Sequence, residues 1–152
     1  MIRFFENRKL KKIILIEDDN DFCLALEHYL GKKCKKENDP SNLNKFQKTL
    51  FLCIWLDNFY NSDGILTFIN DVYSEYNKDV VKALEDIGAF KSSKIIEEAI
   101  SLLPGDGEWF LKKADSNEKE KMRKLDEEFG SYPDGKLTLL YREYVEKYFR
   151  EL

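Results

Sequence analysis

The amino-acid sequence predicts an all-α fold: a single-domain bundle of six or seven helices with a short extended N-terminal arm. The chain has 152 residues, the length of one domain. It has only seven Gly and three Pro, whereas an all-β fold needs many turns. Apolar residues recur three and four positions apart along most of the chain, and only residues 13–16 form a strand-like run. We therefore assign residues 1–19 to the arm and residues 20–152 to the helical domain.

The first two predicted helices lie in residues 20–60. Asp21 is expected to cap a helix that reaches Leu30, whose apolar residues fall on one face. Asn42 is expected to cap the next helix, which extends to Tyr60. This second helix is apolar around most of its circumference, so it should be the most buried one. Asp57 falls on its main apolar stripe.

Three shorter helices are predicted in the middle of the chain. Residues 62–64 break the preceding helix, and residues 65–73 form a short helix with an apolar face. Residues 78–87 form the next helix, which ends at Gly88 because glycine is favoured just after a helix C-terminus. Residues 94–103 form a partner helix, and the short link predicts a helical hairpin.

The last two predicted helices follow an irregular stretch at residues 104–117. Ser116 is expected to cap a helix over residues 118–129. Its charges alternate in sign, which is typical of a solvated helix with ion pairs one turn apart. A turn then leads to a final helix over residues 136–149, in which apolar residues again recur at helical spacing.

The charge distribution argues against direct nucleic-acid binding. The net charge is −4. Residues 1–36 hold nine Lys/Arg and six Asp/Glu, whereas residues 37–152 hold 16 and 23. A nucleic-acid-binding domain normally has a clustered basic surplus. Most of this chain has an acidic surplus instead.

The cysteine and histidine content predicts neither a disulfide framework nor a metal site. Cys23, Cys34 and Cys53 have no regular spacing, and the lone His28 completes no zinc pattern with them. No residues stand at the spacing of a nucleophile and its base, so we expect no enzyme and no cofactor.

No stretch approaches the roughly 20 apolar residues of a membrane span or resembles a signal peptide. We expect a cytoplasmic protein.

Two short stretches resemble parts of a two-component receiver domain. In "KKIILIEDDNDF", an apolar run ends at Asp18 and Asp19, as a receiver's first strand ends at its metal-binding acids. In "LCIWLDNFYNSDGI", Asp57 stands where a receiver carries its phosphorylated aspartate. This resemblance implies a phosphoacceptor or metal-binding site around these three aspartates.

The residues between these stretches favour another interpretation. Only 37 residues separate Asp19 from Asp57, and the connection at residues 31–42 is too polar for a buried parallel strand. No Lys-Pro pair follows, although a receiver carries one. The acids at residues 17–21 are better interpreted as the cap and first-turn acids of a helix, where the helix dipole favours them.

A longer resemblance begins in the segment "LEDIGAFKSSKIIEEAISLLP". It contains the triplet Ile87-Gly88-Ala89, followed by Ala99 and Pro104. "LDEEF" and then "LLYREYVEKY" follow in order. These motifs resemble the DMP-like DNA-mimic protein family, a bacterial family also described as a domain of unknown function. The resemblance covers roughly residues 20–150.

Upstream, "NLNKFQKTLFLCIWLDNFYNSDGILTFIND" resembles the same family's helix, Asn-Gly-Gly-Phe loop and following aromatic helix. Ser-Asp-Gly-Ile replaces that loop at residues 62–65, so one of its glycines is kept. The positions that carry this part of the resemblance are Asp57, Asp63, Gly64, Phe68 and Asp71.

The resemblance implies an all-α fold, a homodimer and, as in the family's DNA mimics, an acidic surface that occupies the DNA-binding face of another protein. Here 29 acids stand against 25 bases, so the charge is nearly balanced. The acidic interaction surface that we expect consists of Glu85, Asp86, Glu97, Glu98, Glu127 and Glu128.

The sequence therefore predicts a non-enzymatic, protein-binding regulator of bacterial type that acts as a DNA mimic and has another protein as its partner. One alternative is the receiver-like phosphoacceptor or metal-binding domain. A weaker alternative is an immunity-type protein that neutralises a toxin.

Overall fold

A computed structural model describes the backbone of residues 2–152 and the side chains from residue 8 onward. Within these residues the chain forms nine α-helices and no strand, which confirms the all-α prediction. The helices are α1 (Ile2–Ile14), α2 (Asp19–Gly31), α3 (Lys45–Asp63), α4 (Ile65–Thr67), α5 (Asn77–Asp86), α6 (Phe90–Ser101), α7 (Phe110–Lys113), α8 (Ser116–Gly130) and α9 (Leu137–Lys147). The predicted count of six or seven is too low because α1 and the single turn of α7 were not predicted.

The predicted extended N-terminal arm is wrong, because residues 2–14 form α1. Leu10 and Ile13, three positions apart, are both buried, whereas Leu15 is 77% exposed. This is the burial pattern of a helix with one apolar face rather than of a strand. Helix α1 packs on α2 and also contacts α9. The four consecutive apolar residues at 13–16 concealed this periodicity.

Three helix caps lie one to three residues away from the predicted caps. In each, a side-chain oxygen accepts a hydrogen bond from a backbone N–H of the first turn. The observed caps are Asp18 for α2, Asn44 for α3 and Asp115 for α8. The predicted caps were Asp21, Asn42 and Ser116. The caps of α3 and α8 are reciprocal capping boxes, so each start is fixed by two hydrogen bonds.

Helix α3 is the central element, as predicted. Residues 49–56 are buried without interruption, so this part of α3 is covered on all sides. Helices α2, α4 and α5 pack around it. Within its core the rings of Phe51 and Trp55 stack with centroids 4.0 Å apart. A helix buried on all sides needs no polar face, which explains its nearly continuous apolar sequence.

Helices α5 and α6 form the predicted hairpin. Gly88 has φ +90°, a left-handed conformation that favours glycine and ends α5. Helix α6 packs against α5 on one side and α8 on the other. Helix α5 also packs against α3.

Two helix starts are capped by acids distant in sequence. Asp134 accepts the N–H groups of Lys91 at 3.0 Å and Ser92 at 2.7 Å, in the first turn of α6. Asp126 accepts the N–H of Ile65 at 2.8 Å, at the start of α4. These carboxylates complete helix ends that have no side-chain cap of their own.

Helix α4 continues into a wider π-helical turn at Phe68–Val72. In this turn the side-chain oxygen of Asn70 accepts the N–H of Phe110 at 2.7 Å. This bond fixes the start of α7 and ties the irregular stretch near residues 104–115 to the bundle. In the described residues, no helix is long and apolar enough to cross a membrane.

Candidate functional site

A cleft of about 520 Å³ opens between α2, α3 and the segment that leads into α9. Its lining combines carboxylates, amides, hydroxyl groups and a thiol with a few aliphatic side chains. The polar groups that line it include Asp19, Cys23, Glu27, Asp57, Asn58, Asn61, Tyr132, Lys136, Thr138 and Tyr141. This is the most varied collection of reactive and hydrogen-bonding side chains in the described part of the molecule.

Asp57 is a half-buried carboxylate in this cleft. The hydroxyl of Tyr132 donates a hydrogen bond to its Oδ1 at 2.9 Å. Burial raises the pKa of Asp57, although the bond from Tyr132 partly opposes this shift. Burial and the adjacent carboxylate raise the pKa of Tyr132 to about 12, so its hydroxyl remains a donor at neutral pH.

Tyr132 reaches Asp57 from an uncommon backbone conformation. Its φ of +51° lies in the left-handed region, which non-glycine residues adopt at a cost of on the order of 1 kcal/mol or more. It lies in the turn between α8 and α9, with Pro133 after it. The turn therefore holds the phenol across the cleft from α3.

Asp19 lies at one end of the cleft and is neutralised by two bases. Its carboxylate contacts Arg142 at 3.2 Å and Lys136 at 3.6 Å. The Arg142 guanidinium also lies 4.0 Å from the ring centre of Phe22. These contacts join α2 to α9, so Asp19 contributes to the wall of the cleft as part of an ion-pair group.

Two further polar side chains of α2, Glu27 and Cys23, each make one contact across the cleft. Glu27 accepts a hydrogen bond from the Asn58 amide at 3.1 Å. The Cys23 sulfur lies 3.3 Å from the hydroxyl oxygen of Thr138. Burial raises the pKa of the Cys23 thiol, so the arrangement does not favour a nucleophilic thiolate.

Tyr141 forms the buried end of the cleft. Its side chain is 1% exposed, and its hydroxyl has no hydrogen-bond partner in the described chain. Burial, together with the charge of Asp57 and the neighbouring thiols, raises the pKa of this hydroxyl well above its ordinary value. A buried polar group without a partner is uncommon in folded proteins and calls for an explanation.

The structure separates the three aspartates of the receiver-like hypothesis. Asp19 and Asp57 line the same cleft, but Asp18 is exposed and caps α2. In the part of the chain that the structure describes, no group of three or more His, Cys, Asp or Glu side chains could hold a metal ion. The receiver-like hypothesis is wrong, because it requires a parallel sheet and residues 2–152 form helices and connecting loops without a strand.

The family-motif positions lie mostly at turns and in the core. Ile87, Gly88 and Ala89 form the link between α5 and α6, and Ala99 is buried in α6. The remaining positions comprise Asp57 in the cleft, Asp63 and Gly64 at the end of α3, the buried Phe68, the exposed Asp71, and Pro104 just after α6. Apart from Asp57, none of these positions lines the cleft.

All six side chains of the expected acidic surface are exposed on α5, α6 and α8. Two of them form ion pairs within their own helices: Asp86 with Lys82, and Glu127 with Arg123. The other four make no ion pair with the described residues: Glu85, Glu97, Glu98 and Glu128.

The sequence did not indicate the cleft. Tyr141 lies in the last predicted helix, but the helical spacing of its apolar residues does not reveal that Tyr141 lines a polar cleft. Tyr132 lies 75 residues from Asp57 in sequence. A turn-forming segment that contains a tyrosine gives no signal for such a distant hydrogen bond.

We expect the Asp57→Asn variant to gain stability relative to the wild-type protein as the pH rises. The asparagine oxygen can still accept the hydrogen bond from Tyr132. Because burial raises the pKa of Asp57 in the folded state, the unfolded chain loses this proton first. The stability of the wild-type protein therefore falls as the pH rises from the pKa of Asp57 in the unfolded chain to its higher pKa in the folded protein. The variant has no carboxyl group at this position and lacks this loss. Urea unfolding at several pH values between 3.5 and about 7 measures the difference.

Asp71→Asn is the matched control, since Asp71 is exposed and outside the cleft. A stability difference for Asp57→Asn that changes with pH no more than the difference for Asp71→Asn would contradict the assignment of Asp57 as a carboxylate destabilised by burial.

Comparison with known proteins supports a single family. The family model described as "DMP19-like protein" matches residues 41–150. A search of the curated proteins gave no match, and a search of the solved structures gave none either. The match covers most of the chain, including α3 with Asp57, the α5–α6 hairpin and all of α9. It agrees with the resemblance found in the sequence motifs. The chain therefore belongs to the DMP19-like protein family.

Proposed function

We propose that this protein is a non-enzymatic regulator that binds another protein and acts as a DNA mimic. In this proposal the exposed carboxylates of α5, α6 and α8 occupy a basic, DNA-binding face of the partner. Membership of the family supports the proposal. The observation that carries it is that three pairs of adjacent acids are exposed on three helices that pack side by side.

The hairpin geometry spreads two of these pairs along its two helices. Glu85 and Asp86 lie at the end of α5, close to the turn, whereas Glu97 and Glu98 lie seven and eight residues after the start of α6. At about 1.5 Å per residue, the second pair lies roughly 10 Å further from the turn. That separation is comparable to the rise of about three base pairs, at roughly 3.4 Å each, along the axis of DNA.

Bases lie among these acids and limit how strong the mimicry can be. Lys82 and Arg123 neutralise one acid each, and Lys94 is exposed in α6 between the hairpin turn and its acidic pair. The four acids without ion pairs would supply most of the attraction to the basic face of the partner. We therefore expect partner binding to weaken with salt, but less steeply than the binding of the same partner to DNA.

A capture experiment with two charge variants tests this function. The first variant changes Glu85, Glu97, Glu98 and Glu128 to Gln. The matched control changes the same number of exposed acids on other elements: Glu17, Glu37, Glu143 and Glu146. Tagged wild-type protein and both variants are incubated with extract of the source cell, and retained proteins are identified by mass spectrometry.

We expect the wild-type protein and the control to retain a DNA-binding protein that added duplex DNA displaces. The variant without the four acids of α5, α6 and α8 should retain much less of this DNA-binding protein. The proposal fails if no protein is retained above background, if duplex DNA does not compete, or if the first variant retains as much partner as the control.

A further inference from the structure

We infer that the cleft between α2, α3 and α9 binds an organic cation, a guanidinium or primary ammonium group carried on a short aliphatic chain. The cleft is lined by other helices than those of the acidic surface, so this inference does not rest on the proposed function. It rests on the charge of the lining, on the unsatisfied groups at its buried end, and on its aliphatic wall.

The charge of the lining favours a cation. Three carboxylates line the cleft, those of Asp19, Glu27 and Asp57, but only one basic side chain, Lys136, lines it with them. Lys136 and the neighbouring Arg142 both contact Asp19. Glu27 and Asp57 therefore face the cleft without a basic partner in the described chain, and an anionic ligand would be repelled.

The buried end offers hydrogen-bonding groups that the protein itself does not use. The Tyr141 hydroxyl is buried without a partner, and Asp57 lies near enough for its charge to act on that hydroxyl. Tyr132 occupies only one oxygen of Asp57. Asn58 and Asn61 also line the cleft, but their amide nitrogens already donate to Glu27 and to the backbone carbonyl of Asp57, so only their side-chain oxygens add acceptors. A guanidinium carries five N–H donors and an ammonium three, and both match a set of acceptors around one carboxylate.

The burial of the Asp57 carboxylate also favours a cationic ligand. Its carboxylate is poorly solvated, because burial raises its pKa. A cation beside it would stabilise the charged form and reverse part of that shift. Binding should therefore lower the pKa of Asp57, and it should weaken when acid protonates this carboxyl.

The remaining wall suits a short aliphatic chain. Leu24, Ile54 and Leu137 line the cleft, and Leu24 is 64% exposed at α2. An aliphatic chain lying on Leu24 would remove apolar surface from water. The cleft volume of about 520 Å³ falls within the range of roughly 300–1,000 Å³ that is usual for small-ligand sites. A bare metal ion would use neither this wall nor the Tyr141 hydroxyl.

Such a cation has two sources, a free small molecule or an arginine or lysine side chain of a partner protein. Titrations of the ¹⁵N-labelled protein with agmatine, butylamine and a blocked Gly-Gly-Arg-Gly-Gly peptide separate them. Sodium chloride at equal ionic strength and sodium butyrate are the negative controls. Shifts of the amide resonances of cleft residues report binding, and calorimetry gives the affinity.

We expect agmatine or butylamine to shift cleft resonances in a saturable manner, whereas butyrate and salt do not. Asp57→Asn should weaken binding by about tenfold or more, because it removes a charged hydrogen-bond acceptor. Glu27→Gln and Tyr141→Phe should weaken it severalfold, and Asp71→Asn should not change it. Preference for the peptide over agmatine assigns the cation to a partner side chain, and the reverse preference assigns it to a free amine.

The inference is overturned if neither amine nor the peptide shifts the cleft resonances, or if Asp57→Asn and Glu27→Gln, both folded by circular dichroism, bind as well as the wild-type protein. It is also overturned if butyrate binds as well as the amines. None of these outcomes depends on whether the carboxylates of α5, α6 and α8 bind a protein.

Discussion

Replacing Phe68 with alanine is expected to lower the free energy of unfolding by about 3–5 kcal/mol, the range for removing a fully buried aromatic ring. Phe68 is 0% exposed, in the turn that follows α4. Its ring stacks on Tyr73 with centroids 5.0 Å apart and meets the edge of Phe59 at 6.1 Å. The substitution removes these ring contacts and leaves a cavity, so packing is lost along with burial.

Urea unfolding followed by circular dichroism measures this loss. Phe68→Leu keeps an apolar side chain and should lose less than Phe68→Ala. Val72→Ala, in the same turn but 48% exposed, should change stability by roughly 0.5 kcal/mol or less. A loss of less than about 1 kcal/mol for Phe68→Ala would show that this turn is not part of the core.

Replacing Gly64 with alanine is expected to cost about 2–4 kcal/mol, from backbone strain and from a disturbed helix cap. Gly64 has φ +84° and ψ 167°, a region that is essentially restricted to glycine. An added Cβ would lie 3.0 Å from Oδ1 of Asp126, the oxygen that accepts the N–H of Ile65. The substitution therefore acts on the backbone and on the cap together.

Two control variants and a double-mutant cycle separate these contributions. Gly107 also has positive φ, +78°, but no heavy atom of the described chain lies within 4 Å of its added Cβ. The loss of stability in Gly107→Ala should therefore come from backbone strain alone. Gly31→Ala has neither problem and, at the end of α2, should leave stability unchanged or raise it by up to about 1 kcal/mol. If the cap is disturbed, the losses for Gly64→Ala and Asp126→Ala should combine to less than their sum. Additive losses would rule out the contact with Asp126.

The same geometry gives a physical reason for the glycine at position 64. Of the family's Asn-Gly-Gly-Phe loop, this chain keeps a single glycine, at the position where α3 ends and α4 begins. The other loop positions tolerate Ser, Asp and Ile because they lie in helical conformations. The residue at position 64 has to adopt a positive φ between two helical segments, and it has to leave room for the side chain of Asp126.

Local sequence patterns predicted most of the fold. Periodicity located α2, α3, α5, α6, α8 and α9, because each helix buries residues three and four positions apart. It missed α1, where consecutive apolar residues at 13–16 concealed the stripe through Leu10 and Ile13. Cap positions were wrong by one to three residues, because several Asp, Asn and Ser side chains near each start are equally suitable in sequence.

The cleft could not be predicted in the same way. Asp57 was correctly placed on the inward stripe of α3, but nothing local shows that this part of the stripe faces a cleft rather than the core. The hydrogen bond from Tyr132 and the position of Tyr141 depend on how α9 packs against α2 and α3. That packing is a property of the whole bundle and leaves no periodic signal in one segment.

The caps that Asp126 and Asp134 provide have a consequence for how the chain folds. Helices α4 and α6 start on carboxylates that arrive 61 and 42 to 43 residues later in the chain. A peptide that contains either helix alone lacks this stabilisation and should be largely unstructured in water. Because the first turns of α4 and α6 gain these hydrogen bonds only when α8 and its following turn have docked, we expect the chain to fold in one cooperative step. Partly folded states that lack the C-terminal third should be poorly populated.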